Sequence, residues 1–248
     1  MIRDTRILMG MPITVDIDDS APGRLIDEVF AYLASVDARF SVFKPESEIS
    51  ALNQGRLALA DVSAEMRDVL ALAARTKRET RGYFEIRRPD GSLDPSGIVK
   101  GWAIRNTADL IRSSGVHSFF VEAGGDIQTG GKNGDGEDWK VGIRNPFNER
   151  EIIKVVTPKG RGIATSGSYV RGQHIYNPHQ PHRPIEEIVS LTVIGSDVLE
   201  ADRFATAAFA MGADGIYFIE REPCLEGYVV DANCVATQTR GFGDYVTP

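Results

Sequence analysis

A chain of 248 residues with 42% hydrophobic and 25% charged residues has the make-up of a folded protein, long enough to bury a sizeable core. Its formal charge of −7 argues against binding a nucleic-acid backbone as the main task, and no apolar run approaches the roughly 20 residues of a membrane span. An acidic protein that handles an anionic ligand must concentrate positive charge locally, through a metal ion, a lysine or backbone amides.

The N-terminus lacks the apolar stretch of a secretory signal, which points to the cytoplasm, or to the periplasm if a leader has been removed. Residues 7–17 alternate as a strand, with Gly10 and Pro12 suggesting a kink or bulge. Residues 23–40 carry Leu25, Ile26, Val29, Leu33, Val36 and Phe40 at helical spacing. A polar connector follows over 41–53, in which Ser47 and Ser50 offer caps for a short turn. Ser63 opens a second helix that runs to Thr80. Ile98 and Val99 end a run that reads as a strand, ahead of a helix over 102–111. The middle is glycine-rich: a strand ends at Glu122, Gly124 and Gly125 make a tight turn, and 130–138 form a hairpin tip. Strands are expected over 139–143, 152–156 and 162–166, then an extended proline-rich segment over 174–187 and a strand over 190–195. An alanine-rich helix over 199–212 is ended by Gly212. A short strand over 215–220 and a final pair around 228–239 close the chain. Cys224 and Cys234 form no C-x-x-C pair and read as ordinary thiols. No linker divides the chain, which reads as one α+β unit over 1–248, built of two interlocked α/β halves with mixed sheets.

Several residues could carry chemistry. Asp202 and Thr206 stand four apart on the alanine-rich helix, so their Cβ atoms lie roughly 5–6 Å apart on one face. A carboxylate and a hydroxyl so placed suit a hard cation, but on spacing alone a solvated Asp202 and a Thr206 bonded back to its own helix are the simpler reading. In DPSGIVKGWA, residues 94–103, Gly97 lets backbone approach a ligand, Asp94 accepts hydrogen bonds, and Lys100 brings a compact charge suited to phosphate. A plain connection with a solvated lysine is an equal alternative. Thr165, Ser166 and Gly167 could line a nucleotide pocket or make a tight turn. His174, His179 and His182 fall on one proline-rich loop at a spacing ill-suited to zinc; a single histidine acting as a base is the better reading, and His117 reads as structural.

Taken in order, these segments resemble the ApbE family of flavin transferases. The matching residues are Met9–Gly10, the stretch from Asp37 to Asn53, Gly82 to Glu85, DPSGIVKGWA, VEAGGDI, WKVGIRNP, ATSGSY, HIYNP and ADRFATAAFAMG, covering residues 8 to 213. The resemblance implies an ApbE-like fold and an enzyme that binds FAD and Mg²⁺ and moves FMN onto a threonine or serine hydroxyl of an acceptor flavoprotein, releasing AMP. It implies a metal site at Gly97 (through its carbonyl), Asp202 and Thr206. Flavin-nucleotide contacts are implied at Met9, Phe43, Tyr83, Phe84, Glu85, Asp94, Lys100, Ser166, His174 and Tyr176. Lys100, Asp202 and His174 would be the catalytic residues, His174 as the base for an alcohol of high pKa. Two alternatives keep the same site: an FAD pyrophosphatase yielding FMN and AMP, and a non-catalytic FAD-binding protein.

Overall fold

The computed structural model describes residues 1–18, 20–168 and 175–247. Its frame is an eight-stranded sheet in the order β1 (Ile2–Leu8), β2 (Met11–Ile17), β3 (Phe119–Ala123), β4 (Asp126–Gly130), β7 (Gly162–Gly167), β8 (Ile188–Gly195), β9 (Glu226–Asp231) and β10 (Ala236–Gln238). A two-stranded hairpin, β5 (Val141–Asn145) and β6 (Asn148–Val156), lies apart from it. The α+β class holds, but every strand pairing among the described residues is antiparallel rather than mixed. The helical excursion between β2 and β3 begins and ends at the same end of these neighbouring strands, where Asp18 N donates to Ser118 O, and so β3 runs back along β2.

Helices α1 (Leu25–Phe40), α3 (Ala64–Glu79), α4 (Ser96–Ser113), α5 (Val198–Ala210) and α6 (Gly215–Arg221), with the short α2 (Glu48–Asn53), make up the helical part. The buried stripe of α1 is Leu25, Val29, Phe30, Leu33, Val36 and Phe40, close to the expected one, and it joins Ile13, Val15, Ile17, Phe119 and Val121 in the largest core. Ser47 and Ser63 cap α2 and α3, accepting from Ser50 N and Met66 N. Helix α5 is buried almost all round, packed among α4, β7, β8 and α6. A third core forms where Ile127, Ile163 and Ile194 of the sheet meet Val141, Ile143 and Val156 of the hairpin and Phe242 of the C-terminal segment.

Three local expectations change. Residues 7–17 are two strands, because Met9 and Gly10 both take positive φ (54° and 73°) and close a two-residue hairpin between Leu8 and Met11. Ile98 and Val99 belong to the first turns of α4, where Asp94 accepts from Ser96 N just ahead of the helix; their β-branched side chains point into the core. Residues 215–220 are helical: Ile216, Phe218 and Ile219 are buried while Tyr217 is exposed, and a short apolar run does not by itself separate strand from helix. Cys224 and Cys234 are free and exposed.

Candidate active site

The helix crossing that positions the site depends on a glycine. Gly101 lets α4 cross α5 so closely that a Cβ there would lie 2.8 Å from Asp202 Cβ and 3.0 Å from Leu199 Cα. Gly101 N donates to Asp202 Oδ2 at 2.8 Å, so the residue after Lys100 orients the buried carboxylate of α5. Lys100 Nζ lies 2.6 Å from Asp126 Oδ2 and 3.8 Å from Asp202 Oδ1. Asp126 is 0% exposed and Asp202 3%. Burial pushes the Asp202 carboxyl up to about 7; the Lys100 charge opposes this, Asp126 adds to it, and the Gly101 amide opposes it.

Asp126 holds its place through a break in the sheet. The β4–β7 ladder has two rungs, Ile127–Ile163 and Gln128–Gly162; beyond them Asp126 Oδ1 accepts from Thr165 N at 3.2 Å. On the same strand Gln128 Oε1 accepts from Val198 N at the start of α5. The side chain of Asp126 thus ties the parted strand end to β7, and that of Gln128 ties the paired part of β4 to α5.

Around this split lies a cavity of about 1100 Å³, large enough for a dinucleotide. Its lining includes Met9, Phe43, Tyr83, Phe84, Glu85, Asp94, Gly97, Lys100, Ser166, Tyr176, Asp202 and Thr206. The cavity therefore brings together every site residue that the family resemblance implies except His174, which lies outside the described residues; His117, His179 and His182 are not among its lining. Gly97 and Thr206 meet: a Cβ on Gly97 would be 3.5 Å from Thr206 Cγ2 and 3.4 Å from the Phe84 ring. Phe43 is 89% exposed at the rim. Tyr83 stacks edge-on against His179, with ring centroids 4.6 Å apart. Glu85 pairs with Lys77; partial burial raises its carboxyl, but Lys77 and the Arg87 amide outweigh this and hold it below the ordinary value. Asp94 pairs with Arg88 and accepts from Ser96 N, and burial raises the Tyr176 phenol.

The sequence reading missed Asp126. The signal was an acid at the first strand position after the glycine pair of VEAGGDI, where the alternation of β4 places it beside Gln128 on the helical side. It also missed Arg3, Lys140 and Arg144, which line the cavity with positive charge. Arg144 was hidden because the β5–β6 hairpin reaches the site only in three dimensions.

A dinucleotide-sized cavity at the split end of an antiparallel sheet, with a half-buried ammonium between two buried carboxylates, is the class of site that this fold presents. Comparison with known sequences narrows that class: the sequence model of the ApbE family matches residues 9–88 and 85–229, and the chain belongs to the ApbE family. Among relatives, a FAD:protein FMN transferase of Vibrio cholerae is 36% identical over 136 residues, covering 51% of this chain and 40% of that protein. One from Escherichia coli K12 is 34% identical over 158 residues, covering 60% and 45%. The chain thus spans half or less of the length of these curated relatives. The apbe protein of Thermotoga maritima shares the fold at a TM-score of 0.89 and 19% identity, covering 100% and 99% of the two chains. The flavin transferase ApbE of Vibrio cholerae does so at 0.86 and 24%, covering 98% of each. Among the described residues no helix is long and apolar enough to cross a membrane.

Proposed function

We propose that this chain is a Mg²⁺-dependent transferase that moves FMN from FAD onto a serine or threonine hydroxyl of an acceptor protein and releases AMP. Besides family membership, one observation carries the reading: Lys100, Asp202, Thr206 and Gly97 meet at the wall of a dinucleotide-sized cavity. The donor set fits a hard divalent ion. Asp126 and Asp202 are two buried carboxylates facing one ammonium, and among the described residues Asp126 Oδ2 has no hydrogen bond besides that ion-pair contact. The Gly97 carbonyl, the Asp202 carboxylate and the Thr206 hydroxyl would hold the ion, which supplies positive charge to the diphosphate and the departing phosphate.

The remaining work falls to the chain itself. Lys100 presents fixed charge to the phosphate oxygens from a site that needs no rearrangement as charge develops. Met9, Phe43, Tyr83 and Tyr176 offer apolar and aromatic surface for the flavin. An O–P bond forms between the acceptor hydroxyl and the FMN phosphorus as the bond to the AMP phosphate breaks, AMP keeping the bridging oxygen. The hydroxyl proton passes to a base, for which His174 is the candidate by its place in HIYNP. Incubation with FAD, Mg²⁺ and a candidate acceptor tests the reading. A fluorescent, covalently flavinylated acceptor with equimolar AMP is expected. Free FMN would instead assign a pyrophosphatase, and unchanged FAD a binding protein.

A further inference from the structure

We infer that Asp126 is a positioning residue: it holds the Lys100 ammonium off Asp202 and so keeps the Asp202 carboxylate open to a divalent cation. The inference rests on the reading of Asp202 and Thr206 as the ligands of that cation. Its basis is the asymmetry of the cluster, in which Lys100 Nζ sits 2.6 Å from Asp126 but 3.8 Å from Asp202. Asp126 is fixed to the frame rather than merely adjacent, since its Oδ1 accepts from Thr165 N where the β4–β7 ladder has ended. Asp202 is equally fixed, through Gly101 N on Oδ2, which leaves Oδ1 as the oxygen that Lys100 and a cation would share.

Without the charge on Asp126, Asp202 becomes the carboxylate nearest to Lys100 in this cluster. The ammonium is then drawn to it, since a buried charge separated from its counter-ion is strongly disfavoured. Closing the 3.8 Å separation to an ordinary ion pair of roughly 2.8 Å, at an effective dielectric of about 20, strengthens the lysine's hold on Asp202 by about tenfold. A cation must displace that hold to bind. Asp126 thus acts through Lys100, without touching the cation.

The test is a double-mutant cycle read by Mn²⁺ titration of the protein alone, with free Mn²⁺ followed by electron paramagnetic resonance. Asp126→Asn is expected to raise the Mn²⁺ dissociation constant about tenfold in the wild-type background. In the Lys100→Met background the same substitution is expected to have a much smaller effect, because the competing ammonium is gone and only the direct field of Asp126 remains. A loss of undiminished size in the Lys100→Met background would overturn the inference, showing Asp126 to be a direct ligand or a purely structural group. Wild-type affinity in Asp126→Asn would overturn it as well. If Asp126→Asn does not fold, Lys100→Met is compared with Lys100→Met/Asp126→Asn: nearly equal Mn²⁺ affinities uphold the inference, and a tenfold difference rejects it. Wild-type protein that leaves all Mn²⁺ free would remove the cation-site reading itself, an outcome distinct from any difference among the variants.

Discussion

Replacing Gly101 by alanine separates the stability of α4 from the geometry of the site. Alanine is the better helix former by about 1 kcal/mol, so in an unobstructed helix the change would stabilise. Here the new Cβ would lie 2.8 Å from Asp202 Cβ, 3.0 Å from Asp202 Oδ2 and 3.0 Å from Leu199 Cα. Ordinary carbon contacts are about 3.5–4.0 Å, so α5 must retreat by roughly 0.5–1 Å, and the Leu199 contact is backbone that cannot rotate aside. Overpacking of this kind costs about 1–3 kcal/mol and the Gly101 N–Asp202 hydrogen bond lost in the retreat about 1.5–3 more, so against a helix preference of about 1 kcal/mol the net loss is about 1.5–5 kcal/mol. At about 2–4 °C per kcal/mol for a chain of this size, Tm should fall by about 3–20 °C. The same retreat stretches the 2.8 Å bond from Gly101 N to Asp202 Oδ2 beyond hydrogen-bond range. A hydrogen bond to a charged group contributes about 1.5–3 kcal/mol, so Mn²⁺ affinity and flavin transfer should drop about 10- to 150-fold. Thermal melts and Mn²⁺ titration of the same sample check both numbers. A raised Tm together with wild-type Mn²⁺ affinity would refute the claim that helix contact at Gly101 positions Asp202.

Other expectations follow from the same contacts. The Asp202 carboxyl is raised in the fold from 3.8 to about 7, so the unfolded chain ionises first. Without divalent ions, wild-type stability should therefore fall as pH rises from about 4 to about 7 and level off above, by up to about 4 kcal/mol. Asp202→Asn should lack that decline and be the more stable protein at pH 8 in EDTA; identical pH profiles by denaturant unfolding would count against the burial argument. Gly162→Ala should destabilise by about 3 kcal/mol or more, since its Cβ would fall 1.9 Å from Val198 N, where only backbone movement gives relief. Expression and Tm near wild type would contradict the close passage of β7 against α5. Arg203, buried in α5 and paired with Glu79 and Glu200, should cost about 3–5 kcal/mol when cut to alanine, with little relief from salt, measured by urea unfolding. Finally, His174→Ala should slow flavin transfer more than it weakens FAD binding, a split that single-turnover rates beside FAD titration would detect.

Much of this protein could be read from its residues in order. The stripe of α1, the serine caps of α2 and α3, and the short apolar runs of β7 and β8 are local patterns, and local spacing determines local structure. The pairing of Asp202 with Thr206 was likewise visible, because residues four positions apart on a helix share a face. What spacing could not show was company. Met9 and Gly10 became a hairpin turn only because Leu8 and Met11 found each other as partners. Ile98 and Val99 became helical because the core between α4 and the sheet took them in. Asp126 looked like the polar end of a turn, and it became part of the site because β4 and β7 part after two rungs. That break lets a carboxylate stand where a backbone partner would be, within reach of a lysine 26 positions earlier in the chain. Residues far apart in sequence acquire their charge states and partners from burial and from one another, and those exist only once the sheet and the two crossing helices have closed around them.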